Sequence, residues 1–299
     1  MNTSSLVSNP RGRALRTLAV LLAVGLASSQ GAERIPEEYR IGGFAVGPQA
    51  FSFKLFTVFE AIEKTAQAGG KVIEFATRQK LVKERPDVVF SHESPEDVIA
   101  SVEAKLRQHG IRAVNYGVVA IPTDEAAARK IFDFARRLGL YAITTESDGS
   151  IDVIEKLVRE YDIRVGFHNH ARRPNAPAYK LWDPRQVRAL LRNRDPRIGA
   201  CADIGHWQTT GLNAIESLRV LEGRIVSLHC KDRRALGPGQ HDVIFGTGIT
   251  DIGGVLAELR RQKFDGNIAI EYEHNWTDSV PDIAQCIGFI RGWVASHPR

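Results

Sequence analysis

From residue 40 onward, short apolar and β-branched runs alternate with longer stretches in which apolar positions recur every three or four residues. The runs are 40–45 (RIGGFA), 71–75 (KVIEF), 111–116 (IRAVNY), 141–144 (YAIT), 164–167 (RVGF), 198–202 (IGACA), 224–228 (RIVSL) and 267–270 (NIAI). They are continuous rather than alternating, the pattern of parallel strands covered on both faces. The stretches between them carry helical period. Residues 58–68, for example, place Val58, Ala61, Ile62, Ala66 and Ala68 along one face. Further helices are predicted over 95–109, 123–138, 150–161, 184–193, 213–222, 251–263 and 279–296. Ser94-Pro95-Glu96-Asp97 reads as a helix start, with serine as cap, proline at the first position and acids in the first turn. Gly69, Gly110, Gly139 and Gly223 stand just past predicted helix ends.

Eight strand–helix pairs in about 260 residues match the count and size of a (β/α)8 TIM barrel, an α/β fold forming a single domain. An open doubly wound sheet is the alternative. It usually carries a glycine-rich phosphate loop after its first strand, and GGFAVGPQAF is not GxGxxG. Two connections are long, 76–93 and 231–250. Both follow strands, so both fall on the C-terminal face of the barrel, where substrate loops belong.

The N-terminus reads differently. Arg11, Arg13 and Arg16 precede the apolar stretch 18–27 (LAVLLAVGLA), and small residues follow in ASSQGA. This is the three-part pattern of a secretory signal peptide, too short to span a bilayer stably. The reading is a signal over 1–32, a barrel over 33–299 and a periplasmic or secreted location, with an uncleaved anchor as the alternative. No stable membrane span is expected after cleavage. The net charge of +5 falls to +2 once the three leader arginines are set aside. No long block of like charge exists, so nucleic acid is not an expected partner. Cys201, Cys230 and Cys286 are an odd set without CxxC spacing and read as small buried hydrophobes.

The chemistry collects at the strand ends. The fourth run ends in AITTES, with Glu146, and the fifth in GFHNH, with His168 and His170. The sixth ends in ACADIGHW, with Asp203 and His206, and the seventh in SLHCKDR, with His229, Lys231 and Asp232. The eighth ends in IAIEYEHN, with Glu271, Glu273 and His274. In a barrel these tips converge on one mouth. Each residue alone has an ordinary reading: His229 as a hydrogen-bonded core histidine, Asp203 as a cap on the following turn, Glu146 as a first-turn acid. Recurrence on five successive strands changes the balance. Buried charges need compensation, and mixed Asp, Glu and His suit a divalent ion such as Mn²⁺, Mg²⁺, Co²⁺ or Zn²⁺.

CADIGHW, LHCKD and IAIEYE stand in that order with one strand–helix unit between each, and FTVFEAIEKTAQAGGKVIEF precedes them. On these motifs the chain resembles the sugar phosphate isomerase/epimerase group of xylose isomerase-like TIM barrels. The resemblance implies one divalent ion, Mn²⁺ first among the four, held by Asp203, His229, Glu271 and a fourth ligand. Many relatives have a glutamate where this chain has His168. Glu146 is therefore taken as the fourth ligand, as in inosose dehydratase-like members, with His168 as the alternative. His168, His170 and Glu273 are then the candidate acids and bases, while His206 and Lys231 are candidate substrate contacts.

The implied activity is isomerisation or epimerisation of a sugar or keto-sugar, by proton abstraction beside a carbonyl through a metal-stabilised enediolate, with elimination or hydration in the same class. A homodimer is compatible with barrels of this type. The other readings are a non-catalytic exported carbohydrate-binding barrel, an apurinic-site endonuclease-like phosphodiesterase and a metal-independent glycosidase using Glu146 and Glu271. The endonuclease reading lacks histidines at the second and third strand ends, EFATR and NYGVV.

Overall fold

In the computed structural model, which describes residues 34–298, eight parallel strands curl into one barrel. The signal expected over 1–32 lies outside the described residues. A short 3-10 turn, Glu37–Tyr39, leads into β1 (Ala45–Pro48), α1 (Val58–Gln67) and β2 (Val72–Phe75). A hairpin of β3 (Gln79–Val82) and β4 (Arg85–Phe90) follows, then α2 (Glu96–His109), β5 (Arg112–Tyr116) and α3 (Glu125–Arg137). The chain continues through β6 (Ala142–Thr145), α4 (Ile151–Tyr161), β7 (Arg164–His168), α5 (Pro184–Leu190) and β8 (Ile198–Asp203). Helices α6 (Ile204–Thr209) and α7 (Ala214–Val220) precede β9 (Ile225–Cys230), and β10 (Asp232–Arg233) pairs with β11 (Asp242–Val243). Helix α8 (Ile252–Arg261), β12 (Asn267–Ile270) and α9 (Val280–Ser296) complete the order.

The barrel sheet runs β1-β12-β9-β8-β7-β6-β5-β2. It closes between β1 and β2 through a parallel bridge, Gln49 to Glu74, and a bond from the Lys71 N–H to the Val46 carbonyl at 3.4 Å. Gly47 allows that approach, since a Cβ there would stand 1.7 Å from the Val72 carbonyl oxygen.

The predicted alternation is present, with three differences. The first strand is Ala45–Pro48 rather than 40–45, because Gly42 and Gly43 take positive φ and turn the chain before it can extend. Ser94 does not cap α2. Its Oγ accepts from the Ser91 N–H at 2.9 Å instead, and Pro95 takes the cap position. The short α6 follows β8 directly, its first turn capped by Asp203, and lies outside the helices predicted from the sequence. The four helix-ending glycines all have positive φ. The three cysteines are buried and unbridged. No helix among the described residues is long and apolar enough to cross a membrane.

Most of the apolar core lies between the sheet and the helices. A second, smaller cluster seals the barrel floor. It joins Ile35 to Ala45, Val72, Val114, Tyr141, Ala142 and Val226, most of them near the N-terminal ends of strands. Arg40 clamps this plug by donating to the carbonyls of Ile35, Gly43 and Asp265, each at 2.8 Å. Ile35→Ala should therefore cost about 2–4 kcal/mol in urea unfolding at unchanged slope. A loss within experimental error would show that the floor does not depend on this segment.

Candidate active site

Strand ends place four donors at the C-terminal mouth. His168 ends β7, Asp203 ends β8, His229 lies near the end of β9 and Glu271 follows β12. His168 Nε2, Asp203 Oδ2, His229 Nδ1 and Glu271 Oε2 are all buried and none has a hydrogen-bond partner. Donor atoms of these four residues lie within 4.8 Å of one another. His168 Nε2 is 3.5 Å from Asp203 Oδ2, and His229 Nδ1 is 3.0 Å from Glu271 Oε2. Buried polar atoms without partners are rare and costly, so four facing one point call for a common partner. Two imidazole nitrogens and two carboxylate oxygens fit a divalent metal ion.

Asp203 serves two purposes with different oxygens. Its Oδ1 accepts from the His206 N–H at 2.7 Å and caps α6, which leaves Oδ2 facing the other three donors. Lys231, a candidate substrate contact on sequence grounds, is buried. Its ammonium stands 2.9 Å from Glu271 Oε2 and 3.3 Å from Asp203 Oδ2, too poorly aligned with either for a hydrogen bond, and it also pairs with Glu273. Gly205 makes room for this lysine, since a Cβ there would stand 2.7 Å from the Lys231 stem.

Glu146, the preferred fourth ligand on sequence grounds, does not join the four. It lies one residue beyond β6 and forms a second group with His168 and His170, whose donor atoms are likewise close enough together to hold a metal ion. Its Oε1 meets His168 Nδ1 at 3.0 Å and also His170 Nδ1. Tyr179 Oη donates to the same oxygen at 3.5 Å and accepts from the His170 N–H at 2.6 Å. His168, the last residue of β7, reaches further into the mouth than a side chain on the following turn. Between the two histidines, Asn169 exchanges two hydrogen bonds of 2.9 Å with the backbone of Asp203 and so ties the ends of β7 and β8 together. The His170 ring packs 4.6 Å from that of His206.

Glu74 is the main residue that sequence reading missed. It is buried on β2, its Oε1 lies 2.9 Å from His229 Nε2, and its Oε2 accepts from Asn267 Nδ2 at 3.1 Å. The signal was present as a lone carboxylate inside the apolar run KVIEF.

Burial opposes charge on all of these groups, and their neighbours decide the outcome. Asp203 and Glu271 stay well below the usual carboxylate range because Lys231 and the histidines outweigh burial. Glu146 is lowered as well, its burial outweighed by hydrogen bonds to His168 and His170. Burial lowers His168, but Asp203 and Glu146 more than reverse this and raise it to about 9. His229 is also raised, against burial, with Glu74 and Glu271 among the causes. His206 goes the other way. Burial, reinforced by Lys231, pushes it down to about 3, so it is a neutral imidazole at pH 7.

A cavity of ≈ 430 Å³ opens beside the four donors. His168, His170 and Glu271 line one side, and Phe51, Lys54 and Arg78 line the other. Lys54 Nζ sits 3.4 Å over the Trp276 ring, and among the described residues neither Lys54 nor Arg78 has a carboxylate partner. A larger cavity, ≈ 780 Å³, lies at the barrel floor between Arg40 and Arg260, away from these groups.

The family model of xylose isomerase-like TIM barrels matches residues 62–292. Among solved structures, the chain is similar to an uncharacterised protein from Parabacteroides distasonis ATCC 8503. The two are 30% identical over 84% of this chain and 99% of that one, with TM-score 0.67. An L-ribulose 3-epimerase shares the fold at 15% identity and TM-score 0.63, covering 84% of this chain and 94% of that one. So does an IolI protein solved with a bound zinc atom, at 17% identity and TM-score 0.63, covering 85% and 99%. No curated protein matches the chain. A family model that spans most of the sequence, on a closed eight-stranded parallel barrel, identifies the chain as a member of the xylose isomerase-like TIM barrel family.

Proposed function

We propose that this chain is an isomerase or epimerase of a sugar or keto-sugar that depends on one divalent cation and moves a proton beside a carbonyl. The observation that carries this reading is the set of four buried atoms without hydrogen-bond partners on His168, Asp203, His229 and Glu271, with His170, paired to Glu146, lining the cavity beside them. The barrel's likeness to a solved L-ribulose 3-epimerase supports the substrate class.

The residues divide as follows. His168, Asp203, His229 and Glu271 hold the cation. Bound there, it supplies Lewis-acid polarisation of a substrate carbonyl, which acidifies the neighbouring C–H. His170 takes the proton. Its Nδ1 meets the Glu146 carboxylate and so carries hydrogen, which leaves Nε2 with the lone pair a base needs. Glu146 orients both His168 and His170 and is a positioning residue rather than a ligand. Glu273, tethered to Lys231 and partly exposed, is the second group able to exchange a proton. His206, neutral beside His170, contributes a hydrogen bond to substrate. Lys54 and Arg78 offer donors to substrate oxygens across the cavity. A second imidazole in the donor set favours Mn²⁺, Co²⁺ or Zn²⁺ over Mg²⁺. With the leader read as a signal peptide, the substrate is an unphosphorylated sugar met outside the cytoplasm. The decisive assay is α-proton exchange into D₂O from ketohexoses and 3-keto-hexosides, followed by NMR with Mn²⁺ added.

Cation binding should displace protons. The raised pKa of His168 means its charged form is held at neutral pH and lost as pH rises through about 9. A cation must displace that proton and the one on His229, so affinity should climb between about pH 6 and 9. Calorimetry at pH 7 in buffers of different ionisation enthalpy should show one cation bound per chain and about one to two protons released. Binding without proton release would overturn the donor assignment.

His170→Gln should lower α-proton exchange by about 10²- to 10⁴-fold while cation stoichiometry stays at the wild-type value. Undiminished exchange would move the base elsewhere. Lys54→Met should raise KM by about tenfold and leave kcat within about twofold. A fall confined to kcat would contradict its role on the substrate wall.

A further inference from the structure

Above its apolar floor the barrel interior is polar. Glu74 from β2, Asn115 from β5, Thr144 from β6 and Asn267 from β12 are all buried and bonded in a line. Asn115 Nδ2 donates to Thr144 Oγ1 at 3.0 Å and to Asn267 Oδ1 at 3.4 Å. Asn267 Nδ2 donates to Glu74 Oε2 at 3.1 Å, and Glu74 Oε1 meets His229 Nε2 at 2.9 Å. Each amide has one direction available: the Asn115 oxygen accepts from the Tyr116 N–H at 2.8 Å, which leaves its nitrogen to donate, and the Asn267 oxygen accepts from Asn115, which leaves its nitrogen for Glu74. The line ends on a carboxylate that accepts at both oxygens.

That ending constrains His229. Facing an acceptor, Nε2 carries the hydrogen, so in the neutral ring Nδ1 keeps the lone pair. Nδ1 is the very atom that lies buried without a partner near Asp203 and Glu271. Lys231 pairs with Asp203, Glu271 and Glu273 but not with Glu74, so no ammonium offsets this carboxylate. Burying a carboxylate is costly where packing alone is served equally well by a neutral side chain, and the ionisable partner this one meets is His229.

We propose that Glu74 is a positioning residue, which fixes the tautomer and orientation of His229 and thereby sets the cation affinity of the mouth. This rests on the reading of the four donors as a cation site.

Glu74→Gln separates positioning from packing. Glutamine keeps the shape and can keep both contacts, with its oxygen accepting from Asn267 and its nitrogen donating to His229 Nε2. The imidazole would then carry its hydrogen on Nδ1, aimed at Asp203 and Glu271. The variant should fold with a Tm close to wild type and bind Mn²⁺ or Zn²⁺ about 10- to 100-fold more weakly. Long-range ¹H–¹⁵N spectra, recorded with and without Zn²⁺ at a pH where the ring is neutral, should show the protonated nitrogen of His229 moving from Nε2 to Nδ1.

If Glu74→Gln does not fold, Glu74→Asp carries the test. It should keep Nε2 protonated and lose less affinity than expected of the glutamine variant, but more than none. Wild-type affinity with an unchanged tautomer in a folded variant would overturn the role of Glu74. Failure of the wild-type protein to bind either cation would instead overturn the cation reading, while the tautomer comparison would still test the Glu74–His229 link.

Discussion

Four buried polar atoms without hydrogen-bond partners meet at one point, and the rest of the mouth is organised around making that tolerable. Two are imidazole nitrogens and two are carboxylate oxygens, on β7, β8, β9 and the turn after β12. Left to themselves they would cost the fold several kcal/mol, since a protein interior solvates them poorly. The surroundings limit that cost. Lys231 lies among the carboxylates, and each imidazole is backed by a further carboxylate, His168 by Glu146 and His229 by Glu74. Backing of this kind leaves the second ring nitrogen as a lone-pair donor.

The barrel supports this arrangement in layers. Ile35 and the strand N-termini close an apolar floor, the Thr144–Asn115–Asn267–Glu74 line fills the middle, and the donors form the top. Every layer draws on several strands. Close packing of β1 on β2 at Gly47 and the Asn169–Asp203 pairing keep the strands in register where the donors emerge. Loop 231–250 is held to the same frame. Asp232 accepts from the N–H groups of Gly246, Gly248 and Thr250, all within 3.0 Å.

Several residues carry two duties, which explains why single-residue readings looked balanced. Asp203 is both helix cap and open donor, one oxygen for each. Glu146 serves a donor imidazole and a cavity-lining imidazole with the same carboxylate. The His-Asn-His sequence follows from this economy. His168 points to the donor set, Asn169 ties the neighbouring strand, and His170 faces the cavity.

By itself the sequence determined the barrel, because continuous apolar runs alternating with helical periods admit few other architectures, and it located the mouth, because ionisable residues followed five successive runs. It also marked Asp203, His229 and Glu271 as residues to watch. The first strand slipped by several residues, since the Gly42–Gly43 turn and the strand after it are equally apolar in composition. Tertiary structure alone decided that His168 rather than Glu146 reaches the donor set, that Lys231 is buried, and that Glu74 stands behind His229. Those outcomes depend on how far each side chain travels from its own strand tip and on contacts between residues as many as 155 positions apart. Local pattern records which face a residue occupies but not which distant partner meets it there.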